Sequence, residues 1–344
     1  MKSVPLEGLV YQSVPGYEDH LARELAIGGE PRPANLRFED SAAGTGRVDR
    51  WGPFFYLNPP LPGETNVFWH LNTWLNPLQI EFESINEAAG ALREIQRNWA
   101  PIFFTQFRRG SLIASKLPPV IQKRRPFPWA LPEASMGAWT LLDAHTMIAS
   151  SRCSSPFPAG VIEFEEDREG PPSRAYLKLW ESLVRLRRLP GPGERCLDAG
   201  ASPGGWTWAL SRLGAEVIAV DRASLDERIA SMPGVSFIRH DVFTLKPEEI
   251  GSIDWLFCDV ICYPPRLYEW IEKWLNSGLC KNFVCTIKMQ GNVTGEELRS
   301  AVSTADSDGV DFDTPRRFAA IPGSQVLHLY HNKHELTWMK GEWG

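Results

Sequence analysis

The sequence has no long uninterrupted run of apolar residues, although 43% of its 344 residues are hydrophobic. Because a transmembrane helix needs about 18 or more apolar residues in succession, we expect no membrane span and no membrane partner. The first 20 residues contain one lysine but no apolar segment of the kind found in signal peptides, so we expect no secretion signal. These absences favour a cytoplasmic protein.

Cysteine is scarce, with six residues in the chain, which argues against the disulfide scaffold of small secreted domains. Cys196, Cys258 and Cys285 lie within apolar runs, where cysteine behaves as a small buried hydrophobic residue. A zinc site would have to combine Cys258 and Cys285 with Cys262 and Cys280. The spacing of these four is loose and at least two lie inside predicted strands, so we predict no metal site.

The chain also lacks an excess of positive charge, since its formal net charge is −6. RNA binding would therefore need a local basic surface. Residues 108–125, the basic segment, contain six cations and no acid: Arg108, Arg109, Lys116, Lys123, Arg124 and Arg125. This segment is either part of an RNA-binding surface or a solvated loop between two elements, and we predict the former.

The first half of the chain is irregular in pattern. We predict a short strand over 9–15 and a helix over 17–26. Over 85–100, apolar residues recur at helical spacing, which predicts an amphipathic helix that reaches Trp99.

The segment 130–172 is rich in Pro, Ser and Gly, which indicates a domain boundary. We place an N-terminal domain at 1–150, a connection at 151–172 and a second domain at 173–344. In the second domain, helices alternate with apolar strands rich in β-branched residues, which predicts a doubly wound α/β fold around a buried, mostly parallel sheet. The predicted helices are 175–189, 205–214 and 266–278, and the predicted strands are 195–201, 216–221, 235–241, 254–260, 282–289 and a terminal hairpin within 325–340.

The sharpest local motif is LDAGASPGGWT at 197–207, where a strand ends in an acidic residue, passes through a glycine-containing turn and enters a helix. Ligands of doubly wound sheets bind beyond such strand ends. Asp221 ends the next strand, where it suits ribose hydroxyls, and Asp241 ends the third, where it suits an adenine amino group. A single strand-end Asp is usually a cap or turn former, but three in succession favour a nucleoside site.

Four segments carry a family resemblance: PPSRAYLKLWE (171–181), LDAGASPGGWT (197–207), CDV (258–260) and TIKM (286–289). Together they resemble the FtsJ-like ribosomal RNA ribose 2′-O-methyltransferases. The greatest likeness is to the two-domain group that methylates a cytidine ribose in large-subunit ribosomal RNA. The resemblance covers about 170 C-terminal residues. It is weaker upstream, where SVPGYEDHLARELA (13–26) looks like the opening of that group's THUMP-containing half.

The resemblance implies a Rossmann-like methyltransferase sheet in the C-terminal half and an N-terminal α+β, THUMP-like RNA-binding domain. It also implies S-adenosylmethionine as cofactor, ribosomal RNA as partner and a role in rRNA processing, and we expect a monomer. The family's catalytic tetrad falls on Lys178, Asp259, Lys288 and Glu335. Its cofactor contacts fall on Ser173, Ser202, Pro203, Gly204, Gly205, Asp221, Asp241 and Asp259. The family often has Cys where this chain has Ser202.

The chemistry of ribose methylation independently supports such a tetrad. A 2′-hydroxyl must lose its proton as it attacks a methyl group, and a lysine accepts that proton only when its pKa is drawn down by burial and a neighbouring cation. We therefore expect Lys288 to be the base and Lys178 to depress its pKa, while Asp259 and Glu335 orient the amines. The competing interpretation is that each lysine merely extends from an element end to solvent.

Other functions are less well supported by the residues. Base N-methylation usually carries an Asn/Asp-Pro-Pro-aromatic motif, but here Pro264 and Pro265 come too late after Asp259. Methylation of a pyrimidine carbon needs a cysteine at the strand ends, and Cys258 should face away from the side of Asp259. A NAD-dependent enzyme is disfavoured because G-x-G-x-x-G is missing. A catalytically silent RNA-binding or assembly factor on the same fold remains open.

Overall fold

The computed structural model divides the chain into two compact units, one of Met1–Arg125 with Leu131–Glu163 and the other of Pro126–Ala130 with Phe164–Gly344. The predicted connection 151–172 contains the passage from the first unit to the second at Glu163. The residues that the structure describes are 1–25, 32–33, 47–60, 67–120, 123–131, 133–134, 136–288 and 313–341.

The described part of the first unit contains two sheets. A five-stranded sheet has the order β1-β7-β10-β9-β8, and a six-stranded sheet has the order β11-β6-β2-β5-β4-β3. The strands are β1 (Lys2–Pro5), β2 (Leu9–Ser13), β3 (Arg32–Pro33), β4 (Arg47–Trp51), β5 (Phe54–Asn58), β6 (His70–Leu75), β7 (Leu78–Glu81), β8 (Trp99–Pro101), β9 (Gly137–Leu141), β10 (Thr146–Ser150) and β11 (Arg152–Cys153). The helices are α1 (Glu18–Leu25), α2 (Ile85–Ile95) and α3 (Phe107–Ala114), followed by a short 3₁₀ helix at Pro158–Gly160. The unit is thus of mixed α and β structure.

The predicted strand at 9–15 is present as β2, which ends at Ser13, and the predicted helix at 17–26 is present as α1; residue 26 lies outside the described residues. The predicted helix at 85–100 is wrong at its end, because α2 stops at Ile95. Trp99 instead begins β8, which pairs in parallel with β9, and its indole Nε1 donates to Leu92 O at 2.8 Å. The backbone of 99–101 thereby finds its hydrogen-bond partners in a strand distant in sequence, which outweighs the local helical pattern.

The described part of the second unit is built on a seven-stranded sheet with the order β14-β13-β12-β15-β16-β18-β17. Its first five strands are parallel, and β18 runs antiparallel to both neighbours. The strands are β12 (Arg195–Ala199), β13 (Glu216–Asp221), β14 (Val235–Arg239), β15 (Trp255–Cys258), β16 (Asn282–Lys288), β17 (Ser324–Leu327) and β18 (Glu335–Lys340). The helices are α4 (Tyr176–Leu186), α5 (Gly205–Arg212), α6 (Glu227–Ala230), α7 (Pro247–Ile250), α8 (Pro264–Ser277) and α9 (Asp313–Ala319), with a 3₁₀ helix at Val242–Thr244.

This sheet confirms the predicted doubly wound, Rossmann-like α/β fold with a terminal hairpin. Its central strands are buried on both faces, as their apolar sequences require, and Cys196, Cys258 and Cys285 are fully buried among them, as predicted. Because β12, β13, β15 and β16 are parallel, their carboxyl ends meet at one edge. The antiparallel β18 begins at that same edge, with Glu335 directly opposite Lys288 in the register.

Within the described residues, the structure contains no helix with the length and apolar character needed to span a bilayer.

Candidate active site

Helix α4 carries a lysine that is almost inaccessible to solvent. Lys178 lies on the buried side of the helix and is 9% exposed. Its Nζ donates to Asp259 Oδ2 at 3.0 Å and to Glu335 Oε1 at 2.6 Å. A buried ammonium is costly unless it is paired, and here two carboxylates pair with it.

A second lysine, at the end of β16, makes the matching contacts. Lys288 Nζ donates to Asp259 Oδ1 at 2.6 Å and to Glu335 Oε2 at 2.8 Å. Each lysine therefore bridges the same two carboxylates, and the four side chains close a ring of alternating charge, here called the tetrad. The structure brings together all four positions to which the family resemblance assigns the catalytic residues.

One contact to the tetrad was missed from the sequence. Thr286 Oγ1 donates to Asp259 Oδ1 at 2.6 Å. Since side chains on a strand alternate between faces, Thr286 and Lys288 lie on the same side of β16. That spacing of two within the TIKM motif was a signal that could have identified this threonine.

The tetrad sets the charge states of its members. Burial alone would raise the pKa of Asp259 and of Glu335, but Lys178 and Lys288 outweigh it, so both pKa values are lowered and both groups are carboxylates at neutral pH. Burial likewise lowers the pKa of Lys288, but Asp259 and Glu335 outweigh it, and the net pKa is raised. The expectation that this pKa is depressed is wrong for the protein without ligands, because two carboxylates contact the amine directly.

A cleft opens beside the tetrad at the same edge of the sheet. Its lining includes Gly200, Asp221, Asp241, Val260 and Ile261. The predicted nucleoside carboxylates Asp221 and Asp241 thus face one space. The other predicted cofactor residues are not among its lining: Ser173, Ser202, Pro203, Gly204, Gly205 and Asp259.

Asp198, the acidic residue of the 197–207 motif near the end of β12, behaves differently from Asp221 and Asp241. It is fully buried and accepts a hydrogen bond from Thr207 Oγ1 of α5 at 2.6 Å. Burial is the main reason that the pKa of Asp198 is raised to about 7. The prediction of three successive carboxylates around one ligand is therefore reduced to two.

The loop between β12 and α5 is shaped by glycine. Gly200 and Gly204 have backbone φ angles of +81° and +117°, a region that residues with a side chain rarely adopt. A Cβ on Gly205 would overlap Ser173 Oγ. Ser173, which we predicted to contact the cofactor, therefore lies against this loop. Ser202 N–H donates to Asp221 Oδ2 at 3.0 Å, while Ser202 Oγ donates to Ser224 O at 3.0 Å. The loop is thus tied to the carboxylate at the end of β13.

Asp241 is held by two arginines that the sequence did not suggest. Arg222 pairs with its carboxylate, and Arg266 lies 3.7 Å from it while its guanidinium covers the Phe243 ring at 4.4 Å. Despite partial burial, which acts in the opposite direction, these contacts lower the pKa of Asp241. Arg222, Arg266 and Phe243 all line the cleft.

The basic segment is partly helical. Arg108 and Arg109 lie on α3, so the alternative of a loop is wrong for this part. Arg109 donates to Glu83 O at 3.1 Å and its guanidinium covers the Phe82 ring at 5.5 Å, which gives it a packing role. Arg108, Lys116, Lys123 and Arg124 are exposed, and Arg125 is half-buried.

No set of three or more His, Cys, Asp or Glu side chains in the described ranges is arranged to hold a metal ion. The six cysteines are free thiols, and three of the four in the zinc alternative, Cys258, Cys280 and Cys285, are buried.

The fold and the cleft agree with a comparison against protein families. Residues 171–305 match the family of FtsJ-like methyltransferases. The match lies entirely within the second unit.

The names of individual relatives are more specific than the description of the family. The chain is 32% identical over 196 residues to "Ribosomal RNA large subunit methyltransferase M" of Xanthomonas campestris pv. campestris (strain B100), covering 55% of this chain and 53% of that protein. It is 34% identical over 184 residues to the protein of the same name from Halorhodospira halophila, covering 53% and 50%. The chain thus spans about half the length of the curated relatives it matches.

Solved structures are more distant. The fibrillarin pre-rRNA processing protein of Methanococcus jannaschii aligns with a TM-score of 0.32 and 19% identity, covering 47% of this chain and 73% of that one. A similarity at this level supports no inference about function.

Proposed function

We propose that this chain is an S-adenosylmethionine-dependent RNA methyltransferase that methylates a ribose 2′-hydroxyl, with large-subunit ribosomal RNA as its substrate. The observation that carries the proposal is the tetrad, in which two lysines and two carboxylates contact one another at 2.6–3.1 Å at the strand ends. The FtsJ-like domain supports the reaction class, and the names of the relatives support the substrate.

The residues of the cleft fit the adenosyl group of the cofactor. Each oxygen of Asp221 accepts one backbone N–H, from Ser202 or Ala223. A carboxylate oxygen accepts two hydrogen bonds, so Asp221 retains capacity for two ribose hydroxyls. Asp241 would accept from the adenine amino group, which would share or replace the contact of Arg222. When bound, S-adenosylmethionine supplies a methyl group on a positively charged sulfur.

The protein's own residues would manage the proton. Lys288 would take the proton of the 2′-hydroxyl as that oxygen bonds to the methyl carbon and the bond from this carbon to sulfur breaks. It must first be neutral, although its pKa is raised in the free protein. Binding of RNA would exclude water from the site, and the sulfonium of a bound cofactor would add positive charge. Both changes favour the neutral form of the Lys288 amine. Asp259 and Glu335 keep the amine in place throughout.

The raised pKa of Lys288 leads to a prediction about pH. A base with a raised pKa is mostly protonated at pH 7, so the rate should grow as the proton is lost. We expect the single-turnover rate to rise about tenfold per pH unit above neutrality, until it levels off at the pKa of Lys288 in the complex. A rate that stays flat between pH 6 and pH 9 would contradict this prediction.

The basic segment should contribute to RNA affinity by binding phosphates. Replacing the exposed Arg108, Lys123 and Arg124 with glutamine should weaken RNA binding. The slope of log K for RNA binding against the logarithm of the salt concentration should also become shallower, by about 0.7 to 0.9 for each phosphate that is no longer neutralised. Fluorescence anisotropy over a salt series measures both quantities.

The matched control removes the same charge elsewhere. Arg97, Lys273 and Lys281 are also exposed, and their glutamine variants should retain both affinity and slope. An equal reduction of affinity in the two triple variants would mean that only the net charge matters and that the basic segment is not an RNA-binding surface.

Transfer of a labelled methyl group from S-adenosylmethionine to RNA tests the proposed function. Label in ribosomal RNA supports it. RNA binding without transfer would favour the catalytically silent factor. Isothermal titration with S-adenosylmethionine and with NAD distinguishes the third possibility, a NAD-dependent enzyme, since only one of the two should bind.

A further inference from the structure

Helix α4 carries a second buried charge one turn after Lys178. Glu181 is fully buried, does not line the cleft, and makes no hydrogen bond to a tetrad side chain in the described structure. We propose that Glu181 is a positioning residue, which fixes the turn before β18 and thereby sets Glu335 against the two lysines. The proposal rests on the proposed function of the tetrad.

The carboxylate of Glu181 is bound to the turn that joins β17 to β18. Its Oε1 accepts the backbone N–H of Tyr330 at 3.1 Å. Its Oε2 accepts the backbone N–H of His331 at 3.1 Å and lies 2.9 Å from His331 Nδ1. Arg185, one turn later on α4, donates to Oε1 at 3.0 Å. Two consecutive backbone donors of the turn therefore depend on one side chain of α4.

The same turn is tied to the first residue of β18. Asn332 Nδ2 donates to the backbone oxygen of Glu335 at 2.9 Å and to Thr337 Oγ1 at 3.0 Å. A displacement of the turn would thus be passed directly to Glu335. Helix α4 therefore acts on Glu335 by two routes: directly, from Lys178 to its carboxylate, and indirectly, from Glu181 through the turn and Asn332 to its backbone oxygen.

The charge of Glu181 is specific to this task. Burial would raise the pKa of Glu181, but Arg185, His331 and the turn's N–H groups outweigh it, and the net pKa is lowered. An apolar side chain would fill the same volume without the cost of burying a charge, yet could not accept from two backbone N–H groups. The buried carboxylate is explained by the turn that it binds.

A neutral isostere tests the proposal. In Glu181→Gln the amide retains one accepting oxygen, so one of the turn's N–H groups is left without its acceptor and Glu335 is released from its position. We expect the pKa of Lys288 to fall by about half a unit or more, since Glu335 is one of the two carboxylates that raise it. We also expect the plateau rate at high pH to fall at least about tenfold, because small displacements of a reacting group are costly.

The pKa is measured directly by a ¹³Cε NMR titration of the lysines in the full chain, which needs no turnover. The groups that face Lys288 are Lys178, Asp259, Glu335 and, more weakly, Cys262. Those that face Glu181 are Arg185, His331 and His328. Glu335 is thus the expected route from the substitution to the titrating amine.

Glu194→Gln is the matched control. Glu194 also binds an arginine and a backbone N–H, Arg188 at 2.6 Å and Gly191 at 2.9 Å, but it precedes β12 at the opposite end of the strand. Asn332→Ala is the second variant, since it releases Glu335 without altering α4 and stands in if Glu181→Gln does not fold.

A lowered pKa of Lys288 in Glu181→Gln and Asn332→Ala, but not in Glu194→Gln, supports the proposal. An unchanged pKa in a folded Glu181→Gln or Asn332→Ala protein overturns it and leaves Glu181 a purely structural residue. Failure of the proposed function is recognised separately, because the wild-type protein would then transfer no methyl group to RNA while the titration still reports on Glu181.

Discussion

Replacing Lys288 with alanine is expected to lower the single-turnover rate of methyl transfer by about 10²- to 10⁴-fold, the usual contribution of a positioned proton acceptor. The cofactor should still bind, because Lys288 does not line the cleft. Lys288→Arg should fail equally, since a guanidinium keeps its proton at any accessible pH. Quenched-flow measurement of label transfer from prebound cofactor gives the rate without the contribution of binding.

Lys281→Ala provides the control for this experiment. It removes an exposed lysine from the residue before β16, at the end of the strand opposite Lys288. Its rate should match the wild type. An arginine variant of Lys288 that methylates RNA at nearly the wild-type rate would show that this residue only positions the substrate.

Asp221→Ala should weaken binding of S-adenosylmethionine by an order of magnitude or more. The variant removes charge-assisted hydrogen bonds to the ribose, each contributing about 1.5–3 kcal/mol. It also frees the N–H groups of Ser202 and Ala223 that shape the adjacent loop. Isothermal titration calorimetry measures the change in Kd.

Asp226→Ala separates the direct effect on the ligand from a general effect on this edge. Asp226 caps α6 and accepts from Arg228 N–H at 2.9 Å, but it is not among the residues that line the cleft. Its variant should bind the cofactor with wild-type affinity. If Asp221→Ala also retains full affinity, the adenosyl group is bound elsewhere.

The second unit could be predicted well from the sequence, because its signals are local. Apolar strands rich in β-branched residues alternate with amphipathic helices, and the carboxyl ends of parallel strands must share an edge. The family resemblance added Lys178 and Glu335, which are 157 residues apart and which no local pattern links. The structure places the two side chains in contact.

What the sequence could not provide depends on partners distant in the chain. Trp99 fits a helical pattern, but its pairing with Gly137 makes it part of a strand. Asp198 lies near the end of a strand as Asp221 does, yet it is buried in the core, where Thr207 donates a hydrogen bond to it. The direction of the Lys288 pKa follows from the balance of burial against two carboxylates, and this balance is a property of the assembled site.

Identification of the methylated atom tests whether the tetrad directs methylation to a ribose 2′-hydroxyl. Ribosomal RNA is labelled by the wild-type protein with S-adenosylmethionine and by Lys288→Ala in parallel, and the RNA is then digested to nucleosides. Proton transfer to Lys288 predicts label in a 2′-O-methylated nucleoside with the wild-type protein and almost none with the variant. Label on a nucleobase, or equal 2′-O-methylation by Lys288→Ala, would contradict it.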